Sequence, residues 1–532
     1  MNRLTLCLLL SFSLTCTWVW AQKKSQPLDI LITNARIIDG SGNPWFNGEV
    51  GIKDGQIVLV GDAKGMKANQ KIDAKGKIVA PGFIDVHAHV EGSIQARPVA
   101  ENFLYDGVTS IITGNCGNSS EDLDDFFREL TKSGISVNVA SLVGHNTVRG
   151  EVMGTVNRAP SDKEQKKMEK LGEKAMEDGA VGLSTGLIYI PGTFAKTEEV
   201  VGLARVVKEY NGVYASHIRK EDHEVLDAID EAVNIGREAD IPVQISHFKI
   251  SGKTSWGKSV ETIARVEKYR EEGIDVTVDQ YPYTASSTRL SVLVPSWAQS
   301  GGSDSFNIRL NDAETRSQIE NDMKIMLDET GFSDFSYGFI ANCPWNKEYN
   351  GKNISEVNVM MGKEKNVEQE IQTIIDLVKV GRRVQMVYHK MGEEDVQRIM
   401  QYPLSMVARD AGIPEFGTSS PHPRTYGSCG RVLGHYVREL NVIRLEDAIR
   451  KMTSLPAQRF QFTDRGLIQT GKVADLVIFD PNEIRSEATF EKPHSYTKGM
   501  SYVLVNGVIV IEEGKHNGRK PGVIIKGQGG TD

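Results

Sequence analysis

A chain of 532 residues is longer than one ordinary domain, so it holds several compact units or one large barrel with additions. Its 39% hydrophobic and 25% charged content excludes a disordered or fibrous chain. The net charge of −8, with acids and bases interspersed, gives no sign of nucleic-acid binding.

The first element is a leader. "MNRLTLCLLLSFSLTCTWVWAQKKS" carries Arg3, an apolar run, and Ala21 before polar "QKKS". That layout predicts a secretory signal peptide, residues 1–21, with cleavage after Ala21 and an exported product, periplasmic or secreted. A membrane anchor is the alternative, but the run is interrupted by Ser and Thr and falls short of the roughly 20 residues a spanning helix needs. No later run approaches that length, so no membrane span is expected once the signal is removed. A lipid-anchored form through Cys16 is a further alternative, although "SLTC" lacks the small residue usual before such a cysteine. The mature chain then keeps Cys116, Cys343 and Cys429. An odd, small number excludes a disulfide-built scaffold and leaves at least one thiol unpaired within the chain.

Residues 27–80 contain short alternating runs, "DILITNARIID", "GEVGIKDGQIVLVG" and "KIDAKGKIVAPG", separated by glycine-containing turns. This is an antiparallel sheet pattern. The same texture returns over 466–520 in "KVADLVIFDP" and "GMSYVLVNGVIVIEEGK". A single small β-sandwich domain built from both termini accounts for the two β-rich ends.

Residues 81–465 alternate strand-like and helical runs. "FIDVHAH", "GVTSIITG", "SVNVASLVG", "AVGLSTGL", "GVYASH", "PVQISH", "IDVTVDQ" and "PLSMVARD" read as strands. Between them lie helical patterns such as "KTEEVVGLARVVKEY", where Val200, Val201, Leu203, Ala204 and Val207 follow a 3.6-residue period. Eight strand–helix units predict an α/β fold, a (β/α)8 barrel. The seventh and eighth strands are too far apart for one connection, so residues of about 290–380 read as an inserted subdomain over the barrel mouth.

Chemistry-bearing side chains collect at the ends of these strands. His87 and His89, two apart, face the same side of the first. Cys116 ends the second, His217 the fifth, His247 the sixth and Asp410 the eighth. Any one of these has a bland reading as a core histidine or a buried thiol. At the same end of five strands, where barrels of this kind carry their chemistry, they read jointly as a metal site of zinc character.

These residues sit in longer motifs. "PGFIDVHAH", flanked by the two sheet halves, resembles the amidohydrolase superfamily. "GNCG", "GLSTGLIYIPG", "YASHIR", "ISHFKISGKTSWGKS", "DQYPYTASST" and "PHPRTYGSCGRVLGHYVRE" resemble the D-aminoacylases, the N-acyl-D-amino-acid deacylases, over nearly the whole mature chain. The resemblance implies one tightly held zinc on Cys116, His217 and His247. It implies a second, weaker metal site at His87 and His89 with Cys116 bridging, and Asp410 as catalytic base. Lys249, Tyr281, Ser287 and Arg424 match substrate-carboxylate contacts. Two departures stand out: Arg409 precedes Asp410 where the family commonly has Ser, and Ser428, Cys429 and Gly430 stand where "TFP" is usual.

The residue types suit amide hydrolysis, which needs a polarised carbonyl, an activated water and a proton carrier. Arg424 offers a planar fork to a carboxylate; a structural ion pair is its alternative. His422 reads as a loop histidine, and His145 as an orienting or supporting group. The expected partner is a small N-acyl-D-amino acid. Two alternatives stay open: a cyclic-amide hydrolase of hydantoinase or dihydroorotase type, which would normally use a lysine ligand, and a peptidase acting on dipeptides with D-residues. A non-enzymatic binding protein would have lost ligands or base. Oligomeric state, side-chain and acyl-group preference are not encoded in any motif.

Overall fold

The computed structural model describes residues 27–381 and 383–530. The leader lies outside the described residues. No helix among the described residues is long and apolar enough to cross a membrane.

Both termini build one nine-stranded sheet. Its halves meet where Ile78–Pro81 pairs antiparallel with Leu476–Phe479. The N-terminal half departs from a purely antiparallel ladder. The strand Leu28–Ile37 pairs antiparallel with Phe46–Lys53 but parallel with both Ala68–Asp73 and Ile78–Pro81. Long-range parallel pairing leaves no turn signal in the sequence, which is why alternation alone missed it. The sheet encloses its own apolar core, including Ile32, Ile37, Ile52, Val79, Leu476 and Leu504.

Residues 83–407 carry the parallel strands of the barrel. They are Phe83–Asp85, Val108–Thr113, Asn138–Ser141 continued by Val143–Gly144, Gly182–Gly186, Val213–His217, Val243–Ile245, Val276–Gln280 and Ser405–Val407. A three-stranded and a six-stranded sheet share the third strand, which is interrupted at Leu142. The other seam closes through a parallel bridge between Ala88 and Ala411, with Asp410 N–H donating to the His87 carbonyl at 2.8 Å. Eight strands therefore surround one axis. Ile84, Ile112, Ala140, Val213, Ala215, Met406 and Ala408 fill the interior. Leu183, Tyr214, Val243 and Val276 face the surrounding helices.

The helices follow from local signals. Asp162–Glu177 starts at a capping box, in which Ser161 and Glu164 satisfy each other's backbone N–H groups. Thr197–Lys208 buries Val200, Val201, Leu203, Ala204 and Val207, the face that a 3.6-residue period marks out.

The connection between the last two barrel strands is a subdomain with its own core of Leu290, Phe306, Ile319, Met323, Ile340, Ile371 and Met386. It is framed by a three-stranded sheet of Ser286–Arg289, Gly338–Asn342 and Gln385–Tyr388, so its boundaries lie slightly outside 290–380. Its first strand touches the barrel rim, where Thr288 Oγ1 lies 3.0 Å from Tyr189 Oη. After the terminal sheet the chain returns under the barrel, pairing Ile524 with Val139.

Candidate metal centre

Strand parity aims two of the site residues. Val213 and Ala215 face the interior, and His217 continues that face at the end of its strand. Met406, Ala408 and Asp410 repeat the step on the eighth strand. His87 and His89 lie past Asp85, the last regular residue of the first strand, and both still reach the interior.

Backbone strain aims two more and acts on Asp410 as well. Cys116, His247 and Asp410 have positive φ angles of 52°, 36° and 50°. Non-glycine residues avoid this region, at a cost on the order of 1–3 kcal/mol each, and hold it only where the surroundings impose it. Here Gly117 N–H donates to Ser184 Oγ at 3.0 Å, His247 N–H to Asp279 Oδ1 at 2.7 Å, and Asp410 N–H to the His87 carbonyl at 2.8 Å. Each contact turns a strand end sharply inward.

The donors converge as a result. Cys116 Sγ lies 3.4 Å from His217 Nδ1 and 3.6 Å from His247 Nε2, and these nitrogens are 2.8 Å apart. Tetrahedral zinc bonds of about 2.0–2.3 Å place neighbouring ligand atoms roughly 3.3–3.6 Å apart. The two sulfur–nitrogen separations match that spacing, and the nitrogen–nitrogen one is shorter. His87 Nε2 approaches Cys116 Sγ at 3.2 Å, and His87, His89 and Cys116 form a second compact donor group that shares the thiol.

Electrostatics fit a bound cation. Burial, followed by the neighbouring His247, pushes His217 well below the usual imidazole range, and burial lowers His87, so both present lone pairs. Burial, then the Asp410 charge, pushes the Cys116 thiol well up. A divalent cation reverses that balance and makes the thiolate the stable form.

Sequence reasoning missed two carboxylates behind the donors. Glu221 Oε1 is 3.2 Å from His247 Nδ1 and 3.6 Å from His217 Nε2, the ring nitrogens turned away from the thiol. Asp279 Oδ1 stands 3.5 Å from His87 Nδ1. Such outer partners fix the tautomer and ring orientation of ligating histidines. Burial raises Glu221, but the Lys249 ammonium and the two histidines outweigh it and hold the carboxyl well below the usual range. Asp279 is the penultimate residue of the seventh strand, Val276–Gln280, so a signal close to the one that picked out His217 and Asp410 was present there too. Glu221 lies in "IRKEDHE", where nothing separates it from solvent-facing charges.

Asp410 sits beside the donors and retains a little exposure, 10% for its side chain. Its Oδ1 is 3.2 Å from His89 Nε2 and 3.8 Å from His87 Nε2, while its Oδ2 pairs with Arg424 Nη2 at 3.0 Å. Burial raises its proton affinity, but Arg424 and His87 more than offset this and hold the carboxyl well below the usual range.

The residues matched to carboxylate binding are brought together unequally. Arg424 stacks on the Tyr281 ring at 4.4 Å, and its Nη1 is buried without a hydrogen-bond partner. The Tyr281 hydroxyl makes only a weak contact with Met391 Sδ at 3.9 Å. Lys249 is closer to structural use: it bonds Glu221 and donates to the His247 carbonyl at 2.9 Å. The Ser287 hydroxyl donates to the Met386 carbonyl at 2.7 Å, while the Ser287 carbonyl lies 3.4 Å from Arg424 Nη2. His422 is a positioning group for Arg424, donating from Nε2 to the Ala285 carbonyl and accepting the Arg424 N–H at 3.0 Å. His145 points away to Glu199 at 2.8 Å, where Arg149 completes a buried triad. Cys343 and Cys429 are buried and unpaired, like Cys116.

Known proteins share this architecture. The model of the amidohydrolase family matches residues 70–285 and 372–511, and the gap falls on the inserted subdomain. A D-aminoacylase of Alcaligenes xylosoxydans xylosoxydans is 35% identical over 526 residues, covering 94% of this chain and 98% of that protein. An N-acyl-D-glutamate deacylase of the same organism is also 35% identical, with 94% and 97% covered. Among solved structures, an N-acyl-D-glutamate deacylase from Bordetella bronchiseptica, complexed with zinc and a phosphonate mimic of the tetrahedral intermediate, is similar at TM-score 0.81 and 34% identity. That match covers 94% of this chain and 100% of the solved one.

Proposed function

The chain belongs to the amidohydrolase family, in its D-aminoacylase branch, and from that premise we propose that Cys116, His217 and His247 hold its zinc, Asp410 moves the proton, and Arg424 holds the substrate carboxylate. The enzyme hydrolyses the amide bond of N-acyl-D-amino acids, releasing a carboxylate and a D-amino acid. The observation that carries the assignment of roles is the meeting of three metal donors and an ionised carboxylate at one barrel rim.

When bound, zinc supplies Lewis-acid polarisation of the acyl oxygen and acidifies water. His87 and His89, with Cys116 shared, provide donors for a second and weaker metal. Glu221 and Asp279 keep the histidine rings oriented. Asp410 Oδ1 faces the donors and takes a proton from the attacking water. The same carboxyl then returns it to the departing nitrogen, since a free amine leaves far more readily than an amide anion. Arg424 has one nitrogen engaged by Asp410 and a second, Nη1, with no partner. A substrate carboxylate satisfies that buried donor, with the Tyr281 hydroxyl close by.

Two features go beyond the chemistry. The leader of residues 1–21 makes the enzyme an exported one, acting in the periplasm or outside the cell. Free N-acyl-D-amino acids, rather than cyclic amides, suit a site in which Lys249 is bonded to Glu221 instead of bridging metals.

The test is a panel of N-acetyl D- and L-amino acids run beside metal analysis of the purified protein. Turnover of D-substrates with about one or two zinc ions per chain is the expected result. Equal turnover of L-substrates would remove the carboxylate-anchored reading of the pocket.

A further inference from the structure

Arg409, directly before Asp410, is fully buried. Its guanidinium rests on the Phe103 ring, 4.3 Å from the centroid. It donates to the Asn102 carbonyl at 2.8 Å and to the Thr425 carbonyl, and lies 3.4 Å from Asp106 Oδ2. Asp106 in turn accepts the N–H of Cys429 at 2.9 Å, the N–H of Gly430 at 2.8 Å and the Thr497 hydroxyl at 2.6 Å. Thr425 follows Arg424, and Cys429 and Gly430 belong to the same helix, Arg424–Arg431. Asn102 adds a second tie, its amide donating to the carbonyls of Gly412 at 3.0 Å and Thr425 at 2.8 Å. At the other end, Asp85 Oδ1 accepts the N–H of both Arg409 and His87 at 3.1 Å.

This network joins the segment that carries Asp410 to the helix that carries Arg424, and it meets a metal donor only at the backbone N–H of His87, through Asp85. Stability alone is a poor reason for it, because apolar residues of similar volume commonly replace a buried ion pair at no loss. Gly430 fits the network in two ways. An added Cβ would stand 2.6 Å from Thr497, and a proline there would remove the N–H that Asp106 accepts. Arg409, Cys429 and Gly430 are also positions at which the chain departs from the pattern it otherwise resembles. These three contact one buried carboxylate, Asp106, whereas Ser428, the remaining departure, donates its hydroxyl to the Arg424 carbonyl at 3.2 Å.

We infer that Arg409 and Asp106 are positioning residues that set Arg424 against Asp410, and through Arg424 fix the substrate's α-carboxylate. The inference rests on the carboxylate role of Arg424 proposed above.

The test is a double-mutant cycle on the zinc-loaded enzyme. Asp106→Asn with Arg409→Met removes both charges while keeping most of the volume. This pair should bind zinc normally, raise KM for the best N-acetyl-D-amino acid about tenfold, and leave KM unchanged when Arg424 is already alanine. A purely structural role would lower the melting temperature and leave KM alone. Arg409→Lys keeps the charge but cannot serve both carbonyls in a fork, and reads the same coupling if the double variant is insoluble. Unchanged KM in a soluble, zinc-loaded variant overturns the inference, as does an equal rise in the Arg424→Ala background. Unchanged KM in Arg424→Ala alone would instead overturn the carboxylate reading beneath it.

Discussion

Arg424 Nη2 lies 3.0 Å from Asp410 Oδ2, so the residue proposed to hold the substrate is in contact with the residue proposed to move the proton. The pairing gives one guanidinium two tasks. It keeps Asp410 ionised, the form that can accept a proton, and it presents Nη1 to a carboxylate.

Arg424→Ala should raise KM strongly and weaken the preference for D- over L-substrates, because two anchors around the α-carbon are needed to tell the enantiomers apart. With the carboxylate and the acyl carbonyl both fixed, the side chain and the hydrogen on the α-carbon have only two arrangements, and a pocket shaped for one disfavours the other. Arg424→Lys should recover only part of the loss, since an ammonium lacks the fork. Steady-state kinetics on matched D- and L-pairs measure both effects, and an unchanged KM in Arg424→Ala contradicts the pocket described above.

Cys116→Ala should lose most bound zinc and most activity. The thiol is common to both donor groups, so its removal leaves two ligands in each. Elemental analysis after dialysis reads this directly. A variant that keeps full zinc would place the metal elsewhere.

Glu221→Gln probes the outer shell. Glutamine keeps the shape but loses the charge that faces His217 and His247, so zinc affinity should fall about 10–100-fold while the fold persists. Competition with a chelator of known affinity gives the number. Wild-type affinity would show that the ring orientations are set by packing alone.

The part of this site legible in the sequence is the part governed by strand periodicity. His217 and Asp410 continue inward-facing rows, and the terminal halves of the small sheet share an alternating texture. What escaped depends on geometry with no local signature. The parallel pairing of Leu28–Ile37 with Ile78–Pro81 joins segments that no tight turn connects. The positive φ at Cys116 and His247 is imposed by Ser184 and Asp279 on other strands. Glu221 becomes meaningful only once two imidazoles are seen to turn their outer nitrogens toward it. The matched role of Lys249 is likewise altered by that carboxylate, which engages its ammonium.

The leader has its own test. Protein from the native host should begin near Gln22 and be recovered outside the cytoplasm, as N-terminal sequencing of fractionated cells would report. An intact Met1, or a membrane-embedded form, would contradict export with cleavage.

Asp410→Asn separates proton transfer from every other function of the site. The substitution suits the backbone, because asparagine tolerates the positive φ of 50° better than alanine would. It also suits Arg424, since the amide oxygen still accepts from Nη2 and the helix start need not move. The metal donors of the Cys116 group are untouched, so zinc content and melting behaviour should stay near those of the parent. Only the ability to take and return a proton is lost. Proton transfer by a positioned side chain is worth about 10²–10⁴-fold, and Asp410 acts twice in the proposed sequence, so kcat should fall toward or beyond the upper end of that range. KM should change far less, because Arg424 and the acyl anchor remain. The measurement is kcat and KM on the best D-substrate together with zinc stoichiometry of the same preparation. A near-normal kcat in a zinc-loaded Asp410→Asn enzyme would mean that another group carries the proton. A large KM increase at constant kcat would mean that Asp410 serves mainly to hold Arg424.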